Sequence, residues 1–380
     1  MNSNHNLDIC TSPYDATDSE FLEAVVAESA RAYVEQFCER NESLIEQHSD
    51  GLVSMLRNWA ASPADFQIAW NPVFGFVRSA VSPVHSAVAL ALHLNSHGVS
   101  GEWNAHVEEP ARFLCGSVLL PPAVELSTFR KEGVSFLTLV TLSGTRTRFC
   151  LDELPGRHSA LNGASDLFTT RMESYNLSVL TRSAIGALPP ISTPFKFTRR
   201  SMSSCIEACR EAIEVLRTHA NQYLIWVDRA MRYVLPIHSP ARFLRSASEW
   251  GLPGVVQMSF NATPVSLAEM LVHESSHQYF HMVQRYEATH DPNDTRLYYS
   301  PLKGTGRPAE MILLGFHAFA NVVLFYRACM DNGFYDDDNC RAQERRHLSD
   351  LKTLAEQLRT MDSLTASGRR LWEPLAARLF

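Results

Sequence analysis

The sequence lacks the features that mark several common classes of protein. It has no run of about eighteen apolar residues, the length that a membrane-spanning helix needs. The first twenty residues are polar, without the apolar segment of a secretory signal. No C-x-x-C pair occurs among the eight cysteines, so we expect free thiols, Cys205 and Cys209 included. These absences predict a cytoplasmic protein that does not cross a membrane.

Positive charge is scarce as well. The 380 residues carry a formal net charge of −7 and a pI near 6.1, without a local stripe of lysine and arginine. This balance argues against a general nucleic-acid binder, and it favours a neutral or basic peptide as a partner. An apolar content of 45% and a charged content of 20% are typical of a soluble globular protein with one or two domains.

The N-terminal half combines a helical pattern with a β-hairpin pattern. Apolar residues recur at helical spacing from Asp18 to Ala61. Alternating β-branched and aromatic residues on either side of Ser143-Gly144-Thr145 predict a hairpin of Val134–Leu142 with Arg146–Leu151. The proline-rich segment Gly186–Phe195 is the candidate linker. We expect residues 1–195 to form one region, which helps to capture an extended substrate, for example by strand pairing.

The C-terminal half, residues 196–380, is predicted to be a helical domain. Together the two halves predict an α+β fold that is mainly helical, in which a helical metal-binding C-terminal domain follows an N-terminal region of helices and an antiparallel hairpin. In the capping pattern of one helix, Ser266 is the expected N-cap and Glu269 completes a capping box. The predicted elements are helices at Ser203–Tyr233, Leu267–Arg285, Pro308–Met330, Arg341–Met361 and Ser367–Phe380, a strand at Gly254–Phe260 and a polar loop at His290–Thr305.

The most informative segment is the H-E-x-x-H sequence from His273 to His277, inside an apolar, helix-compatible run. Four residues of α-helix turn by about 400°, so both imidazoles leave one face and can bind one metal ion. The carboxylate of Glu274 is then placed to polarise a bound water or to orient a ligand. In a chain with 15 histidines the pattern arises by chance roughly 0.04 times. The segment therefore predicts a metal site.

A third protein ligand is needed, and the next helix offers two candidates. His317 lies among apolar residues in the middle of that helix, which is expected to pack beside the metal-bearing helix. Glu310 lies two turns, roughly 10.5 Å, from His317, so only one of them can reach the metal. Its place in the first turn also suits a carboxylate for helix capping alone. Of the two, His317 is the preferred third ligand.

Two further histidines are weaker candidates for the third ligand. His281 lies about 12 Å of helix rise from His273, too far for three imidazoles of one straight helix to meet. His290 lies in the polar loop. The metzincin pattern H-E-x-x-H-x-x-G-x-x-H is absent, because Phe280 and Val283 occupy its glycine and third-histidine positions.

Five short motifs occur in order in the C-terminal half. They are the strand Pro253–Ser259, the helix Leu267–His277, the loop Tyr298–Pro301, the helix start Arg307-Pro308 and the segment Gly315–Phe319. Together they are similar to the motifs of the HExxH-domain proteins of peptide natural-product (RiPP) gene clusters, and the resemblance covers about residues 203–330. Part of that family comprises 2-oxoglutarate-dependent peptide β-hydroxylases.

The resemblance implies a non-haem iron dioxygenase that hydroxylates a residue of a ribosomally made precursor peptide. His273, His277 and His317 become ligands of Fe(II), which leaves positions for 2-oxoglutarate and dioxygen. Arg307 is the expected partner of the second carboxylate of 2-oxoglutarate, and Arg285, Arg296 and Lys303 are the alternatives.

The resemblance also implies roles for three neighbouring side chains. Tyr298 and Tyr299 are expected to contact the co-substrate or to line the peptide groove. Glu274 is expected to orient the metal ligands, because an oxygenase needs no general base for attack by water.

Two other functions fit parts of the sequence. In a zinc peptidase of the gluzincin type, Glu274 would be the general base and Glu310 the third ligand. That alternative explains Glu274 well but leaves His317 and the Arg-Pro segment without roles. A peptide-binding scaffold with a vestigial site is the other alternative, against which the intact ligand residues argue.

Overall fold

A computed structural model describes residues 8–14, 19–63, 65–79, 81–115, 118–151, 177–192, 194–240, 243–334 and 337–380. The fold is α+β and mainly helical, with antiparallel strand pairs and a helical C-terminal part, as the sequence predicts. All eight cysteines are free thiols, and all but Cys150 are buried.

The elements up to residue 150 include both helices and strands. The helices are α1 (Asp8–Thr11), α2 (Glu20–Glu46), α3 (Leu52–Ala60), α4 (Phe66–Ala69) and α5 (Pro83–Ser96), with a 3₁₀ helix at Pro72–Arg78. The strands are β1 (Ser49–Asp50), β2 (Trp103–Ala111), β3 (Leu114–Cys115), β4 (Val118–Leu119), β5 (Ala123–Lys131), β6 (Val134–Val140) and β7 (Arg146–Cys150).

The elements after residue 176 are mostly helical. The strands are β8 (Ser178–Val179), β9 (Tyr233–Pro236), β10 (Ser246–Ser248), β11 (Val255–Met258), β12 (Leu297–Ser300) and β13 (Thr305–Pro308). The helices are α6 (Met202–His219), α7 (Asn221–Ala230), α8 (Pro264–Tyr286), α9 (Ala309–Asp331), α10 (Asp337–Thr360), α11 (Ala366–Arg370) and α12 (Glu373–Leu379), with a 3₁₀ helix at Arg182–Ala187.

The single long helix predicted for the N-terminal half is broken into α2 and α3. Gly51 adopts φ +74°, and a Cβ at this position would lie 2.4 Å from the carbonyl oxygen of Glu102. Only glycine tolerates both this backbone conformation and so close an approach. The break allows β1 to pair with β2, and Asp18, the predicted first residue, lies outside the described residues.

The predicted hairpin is confirmed as part of a five-stranded antiparallel sheet. Its strand order is β1-β2-β5-β6-β7, and β6 pairs with β7 from Phe136↔Cys150 to Val140↔Arg146. Every second residue of a strand faces the same side of the sheet, and Trp103, Ala105 and Val107 of β2 are accordingly buried. They pack with α3 and α5 in one hydrophobic core.

A second sheet supports the metal-bearing helix. Its strand order is β10-β11-β9-β8, in which β11, β9 and β8 are parallel and β10 runs antiparallel to β11. Every residue of β11 is buried, as expected for a central strand. Strand β10 therefore ends the sheet on the side where α8 contacts it.

The boundaries of α8 and α9 differ from those predicted. Helix α8 begins at Pro264 with Thr263 as N-cap, whose hydroxyl accepts a hydrogen bond from the Ser266 amide. The predicted cap at Ser266 and the capping box with Glu269 are therefore wrong, because proline at the first helical position starts the helix three residues earlier. Pro308 is the N-cap of α9 rather than its first residue.

The predicted polar loop before α9 contains a short hairpin. Strands β12 and β13 pair from Leu297↔Pro308 to Ser300↔Thr305. Helix α9 has the length and hydropathy of a membrane span, with a mean hydropathy of 1.6 over its most apolar window. Of that window 72% is buried inside the protein, as in the core helix of a soluble protein.

The hydrophobic core around α8 and α9 includes side chains from the N-terminal half. Ile9, Leu22, Val26 and Trp70 pack with residues of the C-terminal helices. Of the proline-rich segment, Gly186 and Ala187 lie in a 3₁₀ helix, Leu188 packs in a small core with β9, and residue 193 is outside the described residues. The division at residue 195 into two domains stays a prediction.

Buried neutral histidine makes the stability of this fold depend on pH. His93 of α5 is 5% exposed, and its Nε2 donates to the carbonyl oxygen of Ile68 over 2.8 Å. Burial, with a smaller effect from His97, lowers the pKa of His93 to about 3. Between that pH and about 6.5 the unfolded chain binds more protons than the folded one, so stability is lost as the pH falls through this window.

We predict that His93→Gln, whose amide can still donate to the Ile68 carbonyl, reduces this dependence. Urea unfolding at a series of pH values should show a slope lower by up to about 1.4 kcal/mol per pH unit. His106→Gln, at an exposed position of β2, is the matched control. Equal slopes for the wild type and His93→Gln would contradict the prediction.

Candidate metal centre

The two motif histidines and the glutamate between them converge on α8. One ligand atom each from His273, Glu274 and His277 lies within 4.8 Å of the others. The two imidazole centroids are 4.6 Å apart with their planes at 83°. Among the described residues, no other histidine, cysteine, aspartate or glutamate joins this group. The arrangement follows from the i, i+4 spacing, and it can hold a metal ion.

Burial holds both imidazoles in their neutral form. Desolvation, with the charges of His347 and Lys303, lowers the pKa of His273 to about 4. Desolvation and the neighbouring histidines lower the pKa of His277 well below its usual value. The neutral ring is the form that donates a lone pair to a metal. The Nδ1 atom of His277 is buried and lacks a hydrogen-bond partner among the described residues.

The carboxyl group of Glu274 lies against the edge strand β10. It is 1% exposed, and its Oε2 atom accepts no hydrogen bond from the described residues. Burial raises the pKa of Glu274 to about 7, an effect that the hydroxyls of Ser246 and Ser248 partly oppose. An unsatisfied buried oxygen is costly, so a metal, a water or a substrate group is the expected partner of Oε2.

The predicted third ligand, His317, lies outside this group. Its Nε2 donates to the carbonyl oxygens of Cys10, at 2.7 Å, and Thr11, at 3.1 Å. One turn along α9, Asn321 donates to the same Thr11 oxygen over 2.9 Å. These bonds fix α1 against α9. Only Nδ1 of His317 is left for a metal, and it has no hydrogen-bond partner among the described residues.

The alternative third ligand, Glu310, is also outside the group. Its Oε1 accepts a hydrogen bond of 2.6 Å from the side chain of Gln284, which lies two turns beyond His277 on α8. Glu310 therefore joins the N-terminal end of α9 to the C-terminal part of α8. Neither sequence candidate approaches the two histidines as closely as Glu274 does.

The predicted co-substrate residues lie on the β12–β13 hairpin. Tyr298 is paired with Arg307 in register, and its hydroxyl donates to Asp294 over 2.9 Å. Tyr299, the next residue of the strand, is 52% exposed. Successive strand residues point to opposite faces, so the two tyrosines cannot line one side of a groove. Among the described residues no hydrogen bond joins these three side chains to the metal group, and their roles stay predictions.

Two of the alternative cations, Arg296 and Lys303, lie next to or within the β12–β13 hairpin. Arg296 is held in ion pairs with Asp294, at 2.7 Å, and Asp362, at 2.5 Å. Lys303 lies in the turn between β12 and β13, and its charge contributes to the lowered pKa of His273. The positive charge of Lys303 thus helps to keep His273 neutral.

A second polar group beside the site was not found from the sequence. The Oε1 atom of Glu269, one turn before His273, lies 3.8 Å from Nε2 of His347 on α10. Its Oε2 accepts a 2.6 Å hydrogen bond from the hydroxyl of Tyr326. The ring of Phe319 lies 4.8 Å from both the His273 and the His347 rings and separates them. The i, i+4 spacing of Glu269 and His273 could have indicated that both side chains lie on the same face of α8. From the sequence, Glu269 instead fits a capping box.

Comparisons with known proteins add no assignment. No family model matches this chain, and a search of curated proteins finds no significant match. The interpretation of the site therefore depends on its geometry and on the resemblance of the short motifs.

We predict that substitution of the motif histidines weakens metal binding, whereas substitution of His317 lowers the stability of the fold. His273→Ala and His277→Ala should each lower metal affinity by more than about 100-fold, because each removes a ligand. His317→Ala should keep the metal and lower the free energy of unfolding by about 1–3 kcal/mol, because the Cys10 carbonyl loses the donor at 2.7 Å and the Thr11 carbonyl keeps only Asn321. Metal titration and urea unfolding of the three variants measure both quantities. Loss of the metal in His317→Ala would instead identify its Nδ1 as a ligand.

Proposed function

We propose that this chain is an Fe(II)- and 2-oxoglutarate-dependent dioxygenase that hydroxylates the β-carbon of a residue in a ribosomally made precursor peptide. The proposal is based in part on the likeness of the short motifs to those of the HExxH peptide hydroxylases. It includes a cytoplasmic location. The observation that carries it is the convergence of His273, Glu274 and His277 within 4.8 Å.

The residues present fit an iron ion by their donor types. Two imidazoles and one carboxylate are the set found in non-haem Fe(II) oxygenases, which leaves positions open for other ligands. Glu274 supplies the carboxylate in this proposal, and His317 positions α9 by holding α1. When bound, Fe(II) with 2-oxoglutarate lets dioxygen deliver one oxygen atom to a C–H bond and the other to succinate, with release of CO₂.

The β12–β13 hairpin is the proposed holder of 2-oxoglutarate. Its second carboxylate needs a cation, and this hairpin carries both Arg307 and Lys303. Arg307 has no ion-pair partner among the described residues, whereas Arg296 has two. We propose Arg307 as the carboxylate partner, with Lys303 adding positive potential beside His273.

The edge strand β10 supports a peptide as the substrate. Within the described part of the chain it pairs on one side only, with β11, and all three of its residues are partly exposed. An extended peptide can add to such an edge through its backbone. The Ser248 hydroxyl lies 3.4 Å from the Glu274 carbonyl oxygen, so a strand added there would pass beside the metal group.

A zinc peptidase is the second candidate, favoured by one observation. The pKa of Glu274 is raised to about 7 by burial, and a general base works best with a pKa near the working pH. Glu274 would accept a proton from water held between it and the two histidines. The expected third ligand, Glu310, is bonded to Gln284 and lies outside the group.

We predict that anaerobically purified protein retains iron and converts 2-oxoglutarate to succinate in the presence of its peptide. The peptide should gain one oxygen atom, about 16 Da. Mass spectrometry of the peptide and quantification of succinate check this outcome. Retention of zinc with a cleaved peptide and no succinate would establish the peptidase instead.

We further predict that Glu274→Gln distinguishes a ligand from a base. The amide keeps the size of the side chain but cannot carry the negative charge that a metal favours, so metal affinity should fall by about 10-fold or more. Glu214→Gln, in an exposed ion pair on α6, is the matched control. Unchanged metal affinity with lost activity would assign Glu274 as the general base.

A further inference from the structure

Arg285, near the C-terminal end of α8, has no ion-pair partner among the described residues and lies beside Trp250, just after the edge strand β10. Arg285 is three turns beyond Glu274 on α8, and eleven residues of α-helix return to within about 20° of the same face. Its guanidinium lies 5.1 Å from the Trp70 ring centroid and 5.2 Å from that of Trp250. Its Nε atom is buried without a hydrogen-bond partner among the described residues.

A second arginine contacts the same indole ring. The guanidinium of Arg78 lies 4.0 Å from the Trp250 centroid and 5.1 Å from the Tyr33 centroid. Neither Arg78 nor Arg285 forms an ion pair with an acidic residue of the described chain. Burial, with repulsion from Arg78, lowers the pKa of Arg285 to about 10, so its guanidinium is still charged at neutral pH. A half-buried positive charge without a counter-ion is costly, and an anionic ligand would offset that cost.

Trp250 lies in the turn that follows β10, two residues after Ser248. The Ser248 hydroxyl contacts the carbonyl of Glu274, and the Trp250 carbonyl accepts a 3.4 Å hydrogen bond from Arg285. Two residues of chain span at most about 6.6 Å. A peptide that follows β10 would therefore pass the metal group first and reach the neighbourhood of the guanidinium about two residues later.

The other end of β10 has the same character. Arg245 immediately precedes the strand, is exposed, and has no acidic partner in the described part of the chain. Phe243 is 65% exposed and Leu244 47%, although both are large apolar residues. An edge strand with apolar and cationic neighbours suits an extended segment that carries negative charge.

We propose that Arg285, with Arg78, forms a carboxylate-binding subsite for an acidic residue of a peptide bound along β10. The proposal rests on the proposed peptide substrate and adds a sequence requirement to it. Because alternate residues of a strand share a face, the acidic residue lies an even number of positions, two or four, from the residue at the metal. The forked guanidinium of Arg285 matches a carboxylate in two hydrogen bonds.

The test uses two probe peptides of seven residues with acetylated and amidated ends, which differ in one aspartate replaced by asparagine. Calorimetry with the full chain as purified, together with tryptophan fluorescence from Trp70 and Trp250, measures binding. We expect the aspartate peptide to bind about tenfold more tightly. Moving the aspartate by one position should abolish the preference, because its side chain then faces away.

Variants assign the effect to its residue. Arg285→Gln should remove the preference for aspartate, and Arg285→Lys should retain part of it. Arg78→Gln should reduce the preference severalfold, and it tests the subsite at an exposed position even if Arg285→Gln does not fold. Arg210→Gln, in an exposed ion pair on α6, should leave the preference intact.

Three results would overturn the subsite: equal binding of the two peptides, binding of neither, or an aspartate preference that survives Arg285→Gln. Succinate and the mass of the peptide are measured in the same samples. They distinguish failure of the subsite from failure of the proposed hydroxylase function. Tight binding of the aspartate peptide, with no oxygen atom gained by the peptide and no succinate formed under turnover conditions, would remove the hydroxylase and leave the subsite. Hydroxylation of both peptides at equal rates would remove the subsite and leave the hydroxylase.

Discussion

The partial or complete burial of a polar stripe along α8 is the constraint on which the rest of this structure depends. Glu269, His273, Glu274, His277 and His281 recur along one helix that packs between the second sheet and α9. Taking these groups out of water disfavours their charged forms. The imidazoles are therefore neutral, with the pKa of His281 lowered to about 3, and the carboxyl of Glu274 has its pKa raised. Such a stripe persists only where each buried group finds a partner or is kept for a ligand.

The partners of this stripe explain the surrounding architecture. Strand β10 brings two serine hydroxyls to Glu274, and α10 brings His347 to Glu269. Helix α9 contributes Phe319, a hydrophobic wall beside His273. It also contributes His317, whose bonds to the α1 carbonyls tie the N-terminal segment to the same core. The first helix is thus part of the support of the site, although it is remote from it in sequence.

The net charge of the whole chain is negative, whereas the charges around the edge strand β10 are mainly positive. The net charge of −7 favours a neutral or basic peptide. Around the edge strand β10, however, three arginines lack acidic partners among the described residues, and Trp250 contacts two of them. Net charge sums over the whole surface, whereas a ligand responds to the groups within a few ångströms of it, because solvent ions screen more distant charges.

The sequence by itself determined the elements with strong periodicity. The hairpin of β6 and β7, the helix α8 and the convergence of His273 with His277 all follow from contacts between residues close in the chain. The errors in the predicted starts of α8 and α9 are also local. Helix α8 begins at Pro264 with Thr263 as its cap, three residues before the predicted cap Ser266, and Pro308 caps α9 instead of beginning it.

Only the tertiary structure decided what surrounds the two histidines. His317 faces the carbonyls of Cys10 and Thr11, a contact across about three hundred residues of sequence. His347 lies behind Phe319, and Arg285 contacts Trp70 and Trp250. These contacts also join distant parts of the chain. A single sequence without such contacts shows which side chains a helix face presents. It does not show which distant element that face meets, because packing of the whole core selects the neighbour.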